Sequence, residues 1–259
     1  MLTKTLLILL FVLAWSETAA GMEFGWDKEQ PLAWHLFIKG EINKGDYERF
    51  RNFIKRDFDS YVSSARYVKL SSSGGDVVEA LKLASLLKKL YVTVYVRGDD
   101  RCASACFLLF VAASSRFVDR ADEIGIHRAY FSSDYFANLR PSQAEQRHKE
   151  LEETLRVFLR DNSVPTDLME RMNRTSSEEI YWLTETDLDR IGIRPPWYEQ
   201  LLIARCGLDI ALENKLLAPG THSQDDWEAY KKNTSKVLNC ESNLIEPDLA
   251  DLRKELFKN

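Results

Sequence analysis

Two kinds of apolar spacing take turns along this chain. "AWHLFIKGEI" alternates apolar and polar positions and predicts a strand. "KGDYERFRNFIKRDFDSYV" carries Tyr47, Phe50, Phe53 (or Ile54) and Phe58 at helical spacing, which predicts one amphipathic helix. "ARYVKLSSSGG" is a short β-rich run ending in glycines. "DVVEALKLASLLKKL" predicts a strong helix with Val78, Leu81, Ala84 (or Ser85) and Leu87 (or Lys88) along one side. "YVTVYVRG", rich in β-branched and aromatic residues, predicts a strand that stops at Gly98. "CASACFLLFVAA" is small and apolar throughout and predicts a buried helix. "RFVDRADEIGIH" gives two short strands around a turn.

Strands alternating with helices predict an α/β fold. A long polar helix follows, roughly Pro141 to Asp161, and "NSVP" ends it. "PTDLMERMNR" predicts another helix, and "RPPW", Arg194 to Trp197, predicts a break. Beyond it the chain reads as polar helix to its end. The organisation expected is a leader over 1–21, a core domain over 22–196 and a helical extension over 197–259.

The first residues have their own pattern. Lys4 precedes "TLLILLFVLAW", and the small residues of "SETAAG" follow, as in a secretory signal peptide cut between Ala19 and Gly21. A membrane anchor is the alternative, but the apolar run from Thr5 to Trp15 has 11 residues against the roughly 20 that a span requires. No later segment is long and apolar enough to span. The expected location is therefore exported, periplasmic or secreted.

Export changes how the four cysteines read, because thiols outside the cytosol tend to pair. Of three connectivities, Cys102–Cys106 and Cys206–Cys240 are preferred, with Cys102 just ahead of the helix. Zinc is the rival reading, yet neither pair has Cys-x-x-Cys spacing and no histidine lies near either in sequence. The 259 residues carry a net charge of −5 with no basic patch, so nothing points to nucleic acid.

Candidate chemistry begins at "KLSSSGGDVVEAL". A strand runs into Gly74 and Gly75, and a helix opens at once. Free amides at such a start favour negative charge and suit an oxyanion, although a plain strand-to-helix turn needs the same residues. The Lys-Ser/Thr ending of a phosphate loop is absent. Ser104 is predicted at the start of the next helix, where the Ala105 amide would also favour an oxyanion. Serine there is commonly only a cap, and it needs a base to become a nucleophile. Of the four histidines, His148 falls in the polar helix, His222 in a loop beside Gly220, and His35 in the first strand. His127 ends the apolar strand "EIGI" and is the candidate base; a buried structural histidine is the alternative.

In combination these pieces resemble the Clp protease proteolytic subunit family of the ClpP/crotonase superfamily. "SSSGG" is similar to its oxyanion turn "SPGG", "CASAC" to its nucleophile motif "AASMGA", and "GIHRA" to its base motif "MIHQP". The gaps, 30 positions from Gly74 to Ser104 and 23 from Ser104 to His127, are close to the family's. "WLTETDLDRIGI" is similar to its "FLSAxEAxxYGLVD", so the resemblance runs from about 36 to 195. The pairing of the cysteine variant with a leader also looks like exported ClpP-like proteins.

The resemblance implies a repeated β-β-α core, Ser104 as nucleophile and His127 as base. It also implies an oxyanion site at Gly74, Gly75 and Ala105, a peptide or unfolded-protein substrate, a homo-oligomer and no metal or organic cofactor. Two positions depart from the pattern. The family's orienting aspartate falls at Ile180, leaving Glu178 or Glu179 as substitutes, a Ser-His dyad, or no activity. The glycine after the nucleophile becomes Cys106, which would tie the helix start to Cys102 and brace the Ser104 turn. Two rivals remain: a non-catalytic binding or scaffold protein on this fold, and an acyl-CoA enzyme of the crotonase branch, which export disfavours.

Overall fold

The structure is a computed structural model that describes residues 21–27, 35–64, 66–131, 133–218 and 220–258. The leader expected over 1–21 lies, but for Gly21, outside the described residues. Among the described residues no helix is long and apolar enough to cross a membrane.

The first half alternates strand and helix. In chain order it runs β1 Glu23–Asp27, β2 His35–Lys39, α1 Asp46–Arg56, α2 Phe58–Ser63, β3 Tyr67–Ser71, α3 Val77–Lys89, β4 Thr93–Val96, β5 Cys102–Ala103, α4 Cys106–Ala112 and β6 Ser115–Val118. A 3₁₀ turn at Ala121–Glu123 leads to β7 Ile124–Ile126. Then come α5 Ser133–Phe136, α6 Pro141–Asp161, α7 Thr166–Arg174, β8 Tyr181–Trp182, α8 Glu185–Ile191, α9 Pro196–Cys206, α10 Ile210–Leu217 and α11 Gln224–Phe257. The result is a mixed α/β fold with a helical C-terminal region.

Two sheets divide the strands. The larger has the order β1-β2-β3-β4-β6, parallel from β2 onward, with β1 antiparallel at its edge. The smaller has the order β5-β7-β8, with β5 parallel and β8 antiparallel to the central β7. Every residue of α4 is buried. This helix and α3 fill the core, so Ser104 stands at the entrance of a helix that cannot shift without disturbing it.

Three expectations need correction. The helix predicted through residues 44–62 is two helices, broken at Asp57 (φ −106°, ψ 20°). The Asp57 carboxylate accepts a bond from the Trp26 indole at 3.3 Å, and aspartate competes poorly for a helix interior. On α3 the buried side is Ala80, Leu83, Ala84, Leu86 and Leu87, while Val78 is 55% exposed. Helix α3 packs against α1, α4 and α11, so its buried face is rotated from the stripe expected. His35 lies in the second strand, because "EFGWD" forms an unpredicted first one. Phe24 of that strand packs its ring 5.4 Å from Phe50 and 5.5 Å from Phe53.

The C-terminal helices pack into two apolar clusters. Ile245, Leu249, Leu252 and Leu256 of α11 join the main apolar core. Its earlier part joins a smaller cluster with Tyr198, Leu202, Cys206, Leu208 and Val237. The Cys206–Cys240 disulfide (Cα–Cα 5.5 Å) links α9 to α11 beside that cluster.

Candidate active site

The end of β3 is stitched to both neighbours by backbone. Ser72 N–H donates to Arg101 O at 2.7 Å, and Ala103 N–H donates to Ser72 O at 3.0 Å. On the other side Ile42 N–H donates to Gly74 O, and Asp76 N–H donates to Ile42 O, both at 2.7 Å. Between these anchors the chain turns through Gly74 (φ 103°) and Gly75 (φ 136°), a region that side chains rarely enter. The Gly75 backbone lies so close to Ile42 that an added Cβ would stand 2.1 Å from the Ile42 carbonyl oxygen. Asp76 then caps α3 by accepting from Glu79 N–H at 2.9 Å.

Strand β5 delivers Ser104. Its backbone is left-handed (φ 57°), which costs a non-glycine residue about 1–2 kcal/mol. Three features hold it there. Ser104 N–H donates to Gly125 O at 2.9 Å, and Ser104 O accepts from Phe107 N–H at 3.0 Å. The Cys102–Cys106 disulfide (Cα–Cα 5.2 Å) closes over the turn from strand end to first helical residue, as expected. All four cysteines are paired, so no thiolate is left for zinc.

The predicted oxyanion amides differ in state. Gly74 N–H is taken by the Ser72 hydroxyl at 3.1 Å. The amides of Gly75 and Ala105 donate to no acceptor among the described residues. Gly74 itself lies against the nucleophile turn: a Cβ there would be 2.6 Å from Ser104 Cβ and 3.0 Å from Ala105 N. Two donors beside one serine can hold a developing negative charge.

His127 follows the last residue of β7, the strand beside β5. In register Ala103 pairs with Gly125, so Ser104 and His127 leave adjacent parallel strands at the same end. No hydrogen bond joins the Ser104 hydroxyl to the His127 ring; its Nδ1 lies 2.9 Å from the Arg128 carbonyl oxygen instead. The other histidines lie elsewhere. His35 is buried at the opposite end of its strand, and His148 Nδ1 is 3.5 Å from Glu152 on exposed α6. His222 Nε2 is 3.1 Å from Ala218 O in a surface loop.

Strand β8 pairs Trp182 with Gly125 and Tyr181 with Ile126, and the ladder stops there: Arg128 N–H turns to Thr175 O. Ile180, just ahead of β8 and 42% exposed, has its Cγ2 over Gly125, two residues before the base. Glu178 and Glu179 are exposed, and neither carboxylate is hydrogen-bonded to His127. Their amides donate instead to Ser176, at 3.3 Å (Oγ) and 3.1 Å (O). Glu179 lines a surface cleft with Asp167, Arg171 and Tyr181.

Gly125 was not singled out by the sequence, yet it matters locally. Its carbonyl receives the Ser104 amide, and a Cβ there would stand 2.5 Å from Ile180 Cγ2 and 2.9 Å from the Trp182 ring. The lone glycine inside the apolar strand "EIGI" was the available signal. Glu79 is a second such residue. Burial pushes its carboxyl up, but Lys82 and the amides of Tyr47 and Gly45 outweigh that and leave it below the usual range.

No protein-family model and no curated protein matches this chain. Solved structures similar to it include ClpP1 from Listeria monocytogenes, at 16% identity and TM-score 0.42, covering 62% of this chain and 88% of that one. A point mutant of the same ClpP1 is similar at 18% identity, with the same TM-score and coverage. A mutant of the 1510-N membrane-bound stomatin-specific protease is similar at 12% identity and TM-score 0.40, over 66% of this chain and 83% of that one.

Proposed function

We propose that this chain is an exported serine hydrolase, a peptidase built on a ClpP-like core of repeated β-β-α units, with the helical extension at 197–259. Ser104 attacks the substrate carbonyl. His127 takes the hydroxyl proton and returns it to the leaving group. The amides of Gly75 and Ala105 hold the oxyanion. Substrates are peptides or proteins already unfolded, since an ATP-driven unfoldase does not belong in an exported compartment. Two disulfides accord with an oxidising location. A homo-oligomer follows from the motif resemblance, and no cofactor is required.

The observation that carries this reading is Ser104 itself. A serine with φ 57° at the mouth of a buried helix, beside two amides without acceptors, is poor design for a cap and good design for a nucleophile. The unmade Ser104–His127 bond is compatible with it, because catalytic hydrogen bonds often tighten only around substrate. Hydrolysis of activated esters and unstructured peptides by oxidised protein tests the reading. Ser104→Ala is expected to reduce turnover to background; equal rates would remove the serine from the mechanism.

A non-catalytic binding protein on the same core is the second reading. The absence of a hydrogen bond from Glu178 or Glu179 to His127 favours it. Folded, oxidised protein that turns over neither ester nor peptide would select it.

A further inference from the structure

The peptide that follows His127 is fixed from outside. Arg128 N–H donates to Thr175 O at 3.1 Å, which ties the chain after β7 to the end of α7. The Arg128 carbonyl then comes within 2.9 Å of the His127 ring at Nδ1.

A carbonyl oxygen can only accept. A hydrogen bond at this distance therefore requires the proton on Nδ1, and a neutral ring then carries its lone pair on Nε2. That is the tautomer a general base needs toward a serine hydroxyl. An unconstrained histidine side chain in water favours the other tautomer, so the contact selects rather than merely accompanies. Among the described residues no carboxylate is bonded to Nδ1, and Glu178 and Glu179, the nearest in the pattern, leave it to the Arg128 oxygen.

We propose that the main-chain carbonyl of Arg128 orients the His127 base, in the role a carboxylate plays in a Ser-His-Asp triad. The proposal rests on the reading of Ser104 and His127 as nucleophile and base. In acylation the Ser104 hydroxyl proton passes to Nε2 as the Oγ–C bond forms, and the carbonyl π pair moves onto oxygen. The imidazolium keeps its Nδ1 proton on the Arg128 oxygen. Collapse of the intermediate breaks the C–N bond and delivers the Nε2 proton to the leaving amine. Water then repeats the sequence on the acyl-enzyme. A neutral acceptor stabilises the imidazolium less than a carboxylate does, so the arrangement supports slow turnover.

The tautomer can be read without activity. Two-bond ¹H–¹⁵N correlation spectra of the oxidised full chain, with His127 assigned by its loss in His127→Ala, should show a protonated Nδ1 and an unprotonated Nε2 in the neutral ring. The spectrum should not change in Glu178→Gln/Glu179→Gln. A major Nε2–H tautomer in the wild type, or one that flips in the double variant, overturns the proposal. A second arm places lactic acid at position 129, so that the Arg128 carbonyl becomes an ester carbonyl and a weaker acceptor. The Ala129 amide lost in this change makes no hydrogen bond among the described residues. The expected result is a several-fold fall in kcat with KM unchanged; an unchanged kcat overturns the proposal. The two readings fail separately. An Nδ1–H ring in a protein whose serine never reacts removes the hydrolase, whereas an Nε2–H ring beside a reactive serine removes only the orienting carbonyl.

Discussion

Gly74 and Ser104 meet where β3 and β5 end, at a separation that leaves no room for a side chain. A Cβ on Gly74 would lie 2.6 Å from Ser104 Cβ and 2.9 Å from Ala103 O, and Gly74 φ is 103°. Backbone atoms on one side and the nucleophile on the other give it nowhere to move. Gly74→Ala should therefore displace Ser104 as well as strain its own backbone. The expected destabilisation is about 1–3 kcal/mol in urea unfolding. Esterase activity should fall about 100-fold, as for a nucleophile misplaced by about 1 Å. Activity within twofold of wild type would show that the contact does not set the serine's position.

The two disulfides should separate stability from chemistry. Closing a loop of sequence separation 4 constrains the unfolded chain little, and a separation of 34 constrains it more. Loop entropy gives about 2 kcal/mol for the first and about 4 kcal/mol for the second. Cys102→Ala/Cys106→Ala should lose less stability but most of the activity, because Ser104 and Ala105 lie inside its loop. Cys206→Ala/Cys240→Ala should lose more stability and keep its turnover per folded molecule. Urea midpoints and kcat measured on the same samples decide it, and the opposite ranking in either quantity would contradict the bracing role.

Glu79 ties the acid stability of the fold to the glycine turn. Its carboxylate accepts from Gly45 N–H at 3.1 Å, Tyr47 N–H at 3.0 Å and Lys82 Nζ at 2.8 Å. The segment it holds continues from Ile42, which is bonded to Gly74 and Asp76. With its folded pKa below the unfolded value of about 4.3, the carboxylate adds stability above that pH and loses it as pH falls further. Glu79→Gln should cost about 1–3 kcal/mol near neutral pH. The gap between variant and wild type should close as pH falls below the unfolded value and on through the folded one. A gap of constant size in pH-dependent unfolding would show that the charge is not what holds the segment.

The alternation of strands and helices was legible because elements such as β3, β4 and α1 bury one regular face. The Pro141–Asp161 helix was legible from local spacing, and the Cys102–Cys106 pairing from closeness in sequence once the leader implied export. The break at Asp57 was not, because it depends on Trp26, a partner 31 positions away. Strand β1 was missed because three of the five residues of "EFGWD" are glycine or acid, and it is fixed by edge pairing with β2 rather than by its own propensity. The glycine turn, Ser104 and His127 could be singled out as residue types, but their meeting depends on the small β5-β7-β8 sheet. Two of its strands, β5 and β8, have only 2 residues each, too few to leave a periodic signal.

The position of Ile180 makes one gain-of-function test available. Ile180 directly precedes β8 with its side chain over Gly125, two residues before His127, so Ile180→Asp brings a carboxylate to the side of the base without disturbing the buried core. If His127 is a base held by a neutral acceptor, the new carboxylate should raise kcat by about tenfold or more, a fraction of the roughly 10⁴ that such a group is worth in a complete triad. Loss of activity with an intact fold would show that this face of β8 does not communicate with the base.

Covalent capture of Ser104 decides whether its hydroxyl is a nucleophile. Oxidised protein is treated with a fluorophosphonate, digested, and mapped by peptide mass. The account predicts one adduct, on the peptide containing Ser104. It predicts no adduct in Ser104→Ala, and a labelling rate in His127→Ala reduced nearly to background, because the two residues act as one unit. Stability in Ser104→Ala should change by no more than about 2 kcal/mol, the range for a helix-cap hydroxyl. Wild-type protein that is folded and fully disulfide-bonded yet takes no label at Ser104 would contradict the account.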